Sequence, residues 1–284
     1  MYSLEVILLL AIGLIYVIFA VIQDLKTREI ANWLNFSLII FAIGIRFFYS
    51  LFSNDFSLLY QGLIGLGIFF ILGNLLYYSR MFAGGDAKLM IALGAILPVY
   101  SDFLSNAKIF IFFVFIFMFA GAIYGLTEGF YLSFKNWKNF KKEFSKQLKS
   151  KRKLVYLLSS LGILVFIFSF FFLDAIFLIF GVLFLIFPYL FIYFKAVEEA
   201  CMMKDIKTNL LTEGDWLCGD VKIGRKTIKA TWEGVTKEDI KEIRKKYKTI
   251  RIKEGIPFSP VFLISFLIFI LTLLLNISLW NSLW

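Results

Sequence analysis

Long apolar runs, broken by short polar stretches, constrain this chain more than any other feature. Runs at about 4–23, 32–52, 57–79, 86–101, 108–132, 154–173, 175–194 and 260–280 approach or reach the roughly 20 mostly apolar residues needed to cross a bilayer. Of the 284 residues 60% are hydrophobic and 19% aromatic, against roughly 45–50% apolar in a soluble domain. The predicted fold class is therefore an all-α polytopic membrane protein of about eight transmembrane helices. The fourth run is short and starts at a Gly-Gly-Asp sequence, which predicts a partial or tilted crossing. Met1–Glu5 has no basic stretch before the first run, and no small-residue cleavage site follows it. That pattern reads as a retained span, not a removed signal peptide.

The polar connections sort by charge. Lys26 and Arg28, Arg80 and Lys88, Lys135–Lys153 and Lys195–Lys253 fall on one side, while Asp55, Asp102 and Asp174 fall on the other, with Lys108 near one mouth. The positive-inside rule assigns the basic side to the cytoplasm and both termini to the outside of a multi-pass cell-membrane protein. The expected organisation is a membrane domain over 1–133, a basic cytoplasmic loop over 134–153, a transmembrane hairpin over 154–195, a small α+β cytoplasmic domain over 196–258, and a last transmembrane helix over 259–284. The basic loop holds eight lysines and one arginine against Glu143, interleaved with Trp137, Phe140 and Phe144. It is either an amphipathic helix on the membrane surface or a solvated positive-inside loop. In the small domain, Asp220–Trp232 suggests a hairpin through Gly224-Arg225. Thr236-Lys-Glu-Asp239 resembles a capping box opening a helix to about Tyr247, and Thr249–Lys253 alternates as a strand. Ser259 is placed as the N-cap of the last helix, with Pro260 at its first position.

Composition removes several chemistries. Histidine is absent, which excludes Ser-His-Asp and Cys-His catalysis and His-ligated zinc. Cys201 and Cys218 are too far apart for a Cys-x-x-Cys site and are expected to pack as small apolar groups. No metal and no organic cofactor is implied. The net charge of +10 is crowded into the connections between spans, which points to anionic lipid headgroups as partners and away from nucleic acid.

Two aspartates stand at span edges. Asp24 follows the first apolar run and Asp86 precedes the fourth. Ionisable groups there are costly unless paired or functional. Asp86 at a helix start has a plain reading as a capping residue, and Gly84-Gly85 as turn glycines. Bare glycines also let a substrate chain approach the carboxylate. Asp24 at a helix end is disfavoured by the dipole, so its plain reading is an ion pair with Lys26 or Arg28. Two carboxylates brought together would share a proton and activate water, as in an aspartic protease. The helix-end dipoles predict Asp86 as the ionised partner and Asp24 as the protonated one. Arg46, within the second span, is expected to snorkel outward. Asp215 and Asp220 read as turn or surface residues.

Around these aspartates the chain resembles the type IV prepilin peptidase family of GxGD membrane aspartyl proteases, especially its archaeal preflagellin and prepilin peptidases. The matching residues are Gln23-Asp24-Leu-Lys-Thr-Arg28-Glu-Ile30-Ala-Asn32-Trp and Gly84-Gly85-Asp86-Ala-Lys88-Leu, continuing to Gly94 and Pro98. Gly121-Ala-Ile-Tyr-Gly125 and Pro257-Phe-Ser-Pro260 are similar as well. The first glycine of GxGD is Ala83, and the Cys-x-x-Cys insert of many bacterial members is absent. The resemblance implies an aspartic endopeptidase with Asp24 and Asp86 catalytic, and cleavage without methylation. Its substrates would be pilin-like or flagellin-like precursors, cut behind a basic leader at the cytoplasmic face. Gly84, Gly85, Lys88 and Glu128 are candidate supporting residues, with Glu128, Asp215 or Asp220 as acidic groups that would receive the leader. The rival readings are a proton- or cation-coupled transporter using the same carboxylates, with a helix broken at Gly84-Gly85, and a lipid-anchored scaffold. Against the first, both acids lie at one face and the spans show no internal repeat. The second leaves both aspartate tags unexplained.

Overall fold

The computed structural model describes residues 3–172, 175–224 and 226–275. Asp174, Arg225 and the expected end of the last crossing, 276–280, lie outside the described residues. The helices are α1 (Leu4–Thr27), α2 (Asn32–Ser53), α3 (Ser57–Tyr78), α4 (Gly84–Gly94), α5 (Phe103–Lys135), α6 (Trp137–Ser150), α7 (Arg152–Phe172), α8 (Ala175–Val197), α9 (Lys237–Lys246) and α10 (Ser259–Leu274). Six of them, α1, α2, α3, α5, α7 and α8, are long and apolar enough to cross a membrane. One expected crossing differs. Run 86–101 forms only the 11-residue α4, about 16 Å long at 1.5 Å per residue and too short to span. Helix α10 is described for 16 residues. The chain is a mostly helical multi-pass membrane protein, divided into two compact units: Met1–Gly125 with Pro257–Trp284, and Leu126–Ile256.

In the first unit, α1 buries Val6, Leu10, Gly13, Val17, Ala20 and Asp24. These alternate steps of four and three residues, one continuous helical face. The opposite face shows Ile15, Ile18, Phe19 and Ile22, as a surface solvated by lipid requires. Helix α4 is buried against α2 and α3. Its approach to α3 needs glycine: a Cβ on Gly65 would stand 2.3 Å from the Gly94 carbonyl oxygen, and one on Gly73 would stand 2.9 Å from the Ala87 oxygen.

Where α4 ends, the carbonyls of Ala95, Ile96 and Pro98 are left without helical partners in an apolar interior. Arg46 supplies them. Its Nε donates to Ala95 O at 3.0 Å, and its Nη2 to Ile96 O at 3.3 Å and Pro98 O at 2.6 Å. Its Nη1 donates to Leu58 O at 3.1 Å and to Glu5 Oε1 at 3.3 Å. Both side chains of this ion pair are fully buried. Arg46 therefore does not snorkel outward: acceptors in the interior outcompete the membrane surface for its five N–H groups. Removing one partner of a buried pair of this kind costs about 3–5 kcal/mol.

In the second unit, α7 and α8 form an antiparallel hairpin joined closely at Gly162 and Gly181, whose added Cβ atoms would meet backbone at 3.0 Å and 2.8 Å. The basic segment forms helix α6, with Phe140 buried among Ala196, Val197 and Cys201. A π-helical turn (Glu198–Met202) leads from α8 into β1 (Met203–Lys207), which pairs antiparallel with β5 (Thr249–Lys253). Strand β2 (Trp216–Leu217) lies on the other edge of β5. The expected hairpin is β3 (Val221–Ile223) against β4 (Lys226–Ile228). The capping box forms as read: Asp239 N–H donates to Thr236 Oγ1 and Thr236 N–H to Asp239 Oδ2, both at 3.2 Å. It starts α9, which buries Ile240 and Ile243 against Leu217, Ile250 and Ile252.

The glycine seat of α4 predicts a contrast. Gly65→Val should lower stability by about 1–3 kcal/mol, because α4 cannot withdraw from α3 without opening the core. Gly67→Ala, with nothing within 4 Å of its added Cβ, should leave stability within about 0.5 kcal/mol. Thermal unfolding of the detergent-solubilised protein checks both.

Candidate active site

Helix ends build the site. The α1 helix stops because Arg28 takes a left-handed conformation (φ 61°) while its N–H donates to Asp24 O at 2.9 Å. The Gln23 side chain accepts Ala31 N–H at 3.1 Å, and Thr27 Oγ1 donates to Gln23 O at 2.9 Å and Glu29 O at 3.2 Å. This tight turn leaves Asp24 on the buried face of α1, where it is only 8% exposed. Asp86, in the first turn of α4, is equally buried at 8%.

The surrounding residues fasten these two ends. A Cβ on Gly85 would meet Ile30 Cβ at 3.1 Å, so glycine lets the start of α4 lie on the turn that follows Asp24. A Cβ on Gly84 would make only ordinary contact with Tyr77. Lys88 donates to Asn32 Oδ1 at 2.6 Å, tying the second turn of α4 to the first turn of α2. Asn35, wholly inside, donates to Gly85 O at 3.4 Å.

The structure adds a third helix end. Ser259 N–H, at the start of α10, donates to Asp24 Oδ2 at 3.2 Å. The N-cap of α10 is Phe258, one residue before the expected Ser259, and Pro260 follows at the helix start. Phe258 seats this end: it packs on Phe82 and Phe117, and its ring lies 3.1 Å from where a Cβ on Gly121 would be. Tyr124 Oη donates to Pro257 O at 2.9 Å. The similar segments Gly121–Gly125 and Pro257–Pro260 thus hold each other and carry Ser259 to Asp24. Asn35 and Ser259 were not legible as site residues, since a lone Asn in a span and a backbone N–H give no sequence signal.

The two aspartates act on each other electrostatically. Burial first, and the negative charge of Asp24 second, push the Asp86 carboxyl from 3.8 up to about 7, partly offset by a hydrogen bond from the Ala83 backbone. Asp86 therefore holds a proton below about pH 7 and loses it above. The expectation that helix dipoles leave Asp86 the ionised partner does not hold. A dipole contributes about 0.3–1 kcal/mol, less than burial of a carboxylate beside a like charge. Asp24, for its part, receives the positive N-terminus of α10 as well as the negative C-terminus of α1. Two buried polar atoms at the same residues, Asn35 Oδ1 and Ser259 Oγ, have no partner among the described residues.

Three other candidates belong to the second unit. Glu128 lies half-buried on α5. Asp215 accepts Thr212 N–H at 2.7 Å and Asp220 accepts Ala230 N–H at 2.9 Å, both as turn-closing groups of the small domain. Among the described residues no cluster of acidic or cysteine side chains is arranged to hold a metal ion.

A multi-pass helical membrane protein with two buried, interacting carboxylates at converging helix ends is the class these observations define. Residues 9–126, which carry both aspartates, match the model of the type IV leader peptidase family. Preflagellin peptidase of Methanococcus maripaludis is 35% identical over 89 residues, 31% of this chain and 38% of that protein. Preflagellin peptidase of Methanocaldococcus jannaschii is 34% identical over 90 residues, 32% of this chain and 38% of that protein. Preflagellin peptidase of Methanococcus voltae is 30% identical over 136 residues, 45% of this chain and 58% of that protein. Residues 9–126 are thus similar to the type IV leader peptidase family, and the relatives that match part of the chain are preflagellin peptidases. The matches span about two-fifths to three-fifths of these relatives' length. No solved structure matches the chain.

The raised Asp86 carboxyl has a spectroscopic consequence. Infrared spectra should show a neutral carboxyl at about pH 6 that titrates away as pH rises through about 7. The band should be missing in Asp86→Asn. In Asp24→Asn its midpoint should fall, because one of the two causes of the shift is gone. A band that survives in Asp86→Asn means the proton resides elsewhere.

Proposed function

We propose that this protein is a membrane aspartic endopeptidase that removes basic leader peptides from flagellin-like or pilin-like precursors at the cytoplasmic face. The observation that carries this reading is the buried Asp24–Asp86 pair, in which burial and the charge of Asp24 raise the Asp86 carboxyl, inside the segment similar to leader peptidases. The activity for which the relatives are named, preflagellin peptidase, favours flagellin-like substrates.

The proton inventory sets the roles. Asp24 takes a proton from water as its oxygen bonds to the scissile carbonyl carbon. Asp86 gives its proton to the carbonyl oxygen, leaving a neutral gem-diol. Asp24 then passes its proton to the leaving amine as the C–N bond breaks. One gem-diol hydroxyl returns a proton to Asp86, restoring the starting state. The orphan oxygens of Asn35 and Ser259 are suited to binding the attacking water or the scissile segment's N–H groups. Gly84, open on its outer side, leaves room for an extended substrate chain beside Asp86. Lys88 acts through Asn32 by orienting the second turn of α4, just beyond the end that carries Asp86. Glu128 remains a candidate acceptor for basic leader residues, and anionic lipids would meet the exposed lysines of α6.

Purified protein incubated with a flagellin-like precursor bearing a basic leader tests the reading, with the cut located by mass spectrometry. Asp24→Asn and Asp86→Asn should each reduce cleavage by at least about 10³-fold while leaving thermal stability near that of the unaltered protein. Asp215→Asn and Asp220→Asn should keep most activity. Full cleavage by either of the first two variants would rule out the pair.

Orientation is checked separately. In a background lacking Cys201 and Cys218, a cysteine at Ser53 should react with an impermeant reagent outside the cell. One at Thr27 should react only after permeabilisation. External reaction at Thr27 would place Asp24 on the wrong side for a cytoplasmic leader.

A further inference from the structure

Arg46 links the far ends of the two helices whose near ends carry the aspartates. Helix α1 holds Asp24 at its C-terminal end and Glu5 in its first turn. Helix α4 holds Asp86 in its first turn, and its chain runs on directly into Ala95, Ile96 and Pro98. One guanidinium on α2 bonds both: Glu5 on the first, and three carbonyls just beyond the second. The remaining bond, to Leu58 O, fixes it to the start of α3. Every N–H of the group thus has an acceptor, so its orientation is determined.

Two further observations show that the surroundings are shaped for this one side chain. An added Cβ on Gly62 would stand 2.5 Å from Arg46 Cδ and 2.7 Å from its Nε, so α3 is bare where the arginine passes. On α1, a Cβ at Gly13 would meet Ile96 Cγ2 at 3.2 Å, so the segment that Arg46 holds also lies against α1. Helix α4 is short, and cation bonding at the carbonyl end of a helix opposes its movement along its own axis.

We propose that Arg46, with Glu5, is a positioning residue for the aspartate pair: it sets where α4 stands along α1, and so the separation of Asp86 from Asp24. This rests on the peptidase reading above. Lysine at position 46 keeps the charge but loses the fork that reaches Ala95, Ile96 and Pro98 together. A loosened α4 lets the carboxylates separate, which weakens the repulsion that keeps a proton on Asp86. Asp24 is the charged group that acts on that carboxyl.

The test compares kcat, KM and the pH profile of cleavage for the full-length protein and for Arg46→Lys, Glu5→Gln and Gly62→Ala, with thermal unfolding as the check of folding. Arg46→Lys should lower kcat about 10- to 100-fold with KM within about twofold, as misplacement from a distance does. It should also move the alkaline limb of the profile down by about half a pH unit or more. Glu5→Gln keeps the carbonyl bonds and should shift the limb less. Gly62→Ala crowds the arginine without removing either charge, and should shift it in the same direction if Arg46→Lys does not fold. Exchanging the pair, Glu5→Arg with Arg46→Glu, should not restore activity, since a carboxylate cannot donate to carbonyls; a restored profile would reduce the pair to charge balance and overturn the proposal. Folded variants with the unaltered alkaline limb overturn it too, even where Asp24→Asn and Asp86→Asn are inactive. Cleavage by either Asn variant would instead remove the aspartate reading, and the positioning role with it.

Discussion

A carbonyl released in an apolar interior must find a donor, and the first unit is organised around how that demand is met after α4. The chain breaks helix at Gly94 and does not resume one until Phe103. In water the loose backbone would be solvated. Inside a bundle it needs donors, and unbonded peptide groups there cost several kcal/mol. Arg46 meets the need for three carbonyls at once, and Glu5 neutralises the charge that doing so brings inside. Asn106 serves the next stretch, accepting from Val99 and Tyr100 N–H and donating to Tyr100 O. A short helix with Asp86 at its head becomes possible because its tail is satisfied this way.

The site follows from the polarity of helix ends. Three meet near the aspartates: the C-terminus of α1 and the N-termini of α4 and α10. Taken one helix at a time, the dipoles would protonate Asp24 and ionise Asp86. Tertiary packing opposes the second of these effects. It buries Asp86 beside a like charge and brings an N–H of α10 to Asp24. Desolvation of a carboxylate is the larger effect, so it decides.

The residues that flank the aspartates in sequence serve mainly as fasteners. Gln23 and Thr27 close the turn after α1, Asn32 receives Lys88, and Gly85 admits Ile30. Tyr124 and Phe258 carry the start of α10. Family resemblance marked these positions without saying what each does. Only the Gln23 and Thr27 bonds are local; the Lys88–Asn32 and Tyr124–Pro257 bonds, like those of Asn35 and Ser259, form only through folding.

The sequence by itself determined the class of protein, most helices, the capping box of α9, the β3–β4 pairing and the two aspartates, because each is written in local pattern: run length, turn chemistry, charge at a span edge. The short α4 in place of a full crossing was hinted at by Gly84-Gly85 and the brevity of the run. Only the tertiary structure decided that Arg46 points inward, that burial beside Asp24 raises the Asp86 carboxyl, and that Ser259 bonds Asp24. The reason is physical. In a helix apolar on every side, such as α1, periodicity does not distinguish the face toward lipid from the face toward protein. Which polar group is desolvated, and beside what, depends on partners tens or hundreds of residues away, such as Ala95 for Arg46 and Ser259 for Asp24.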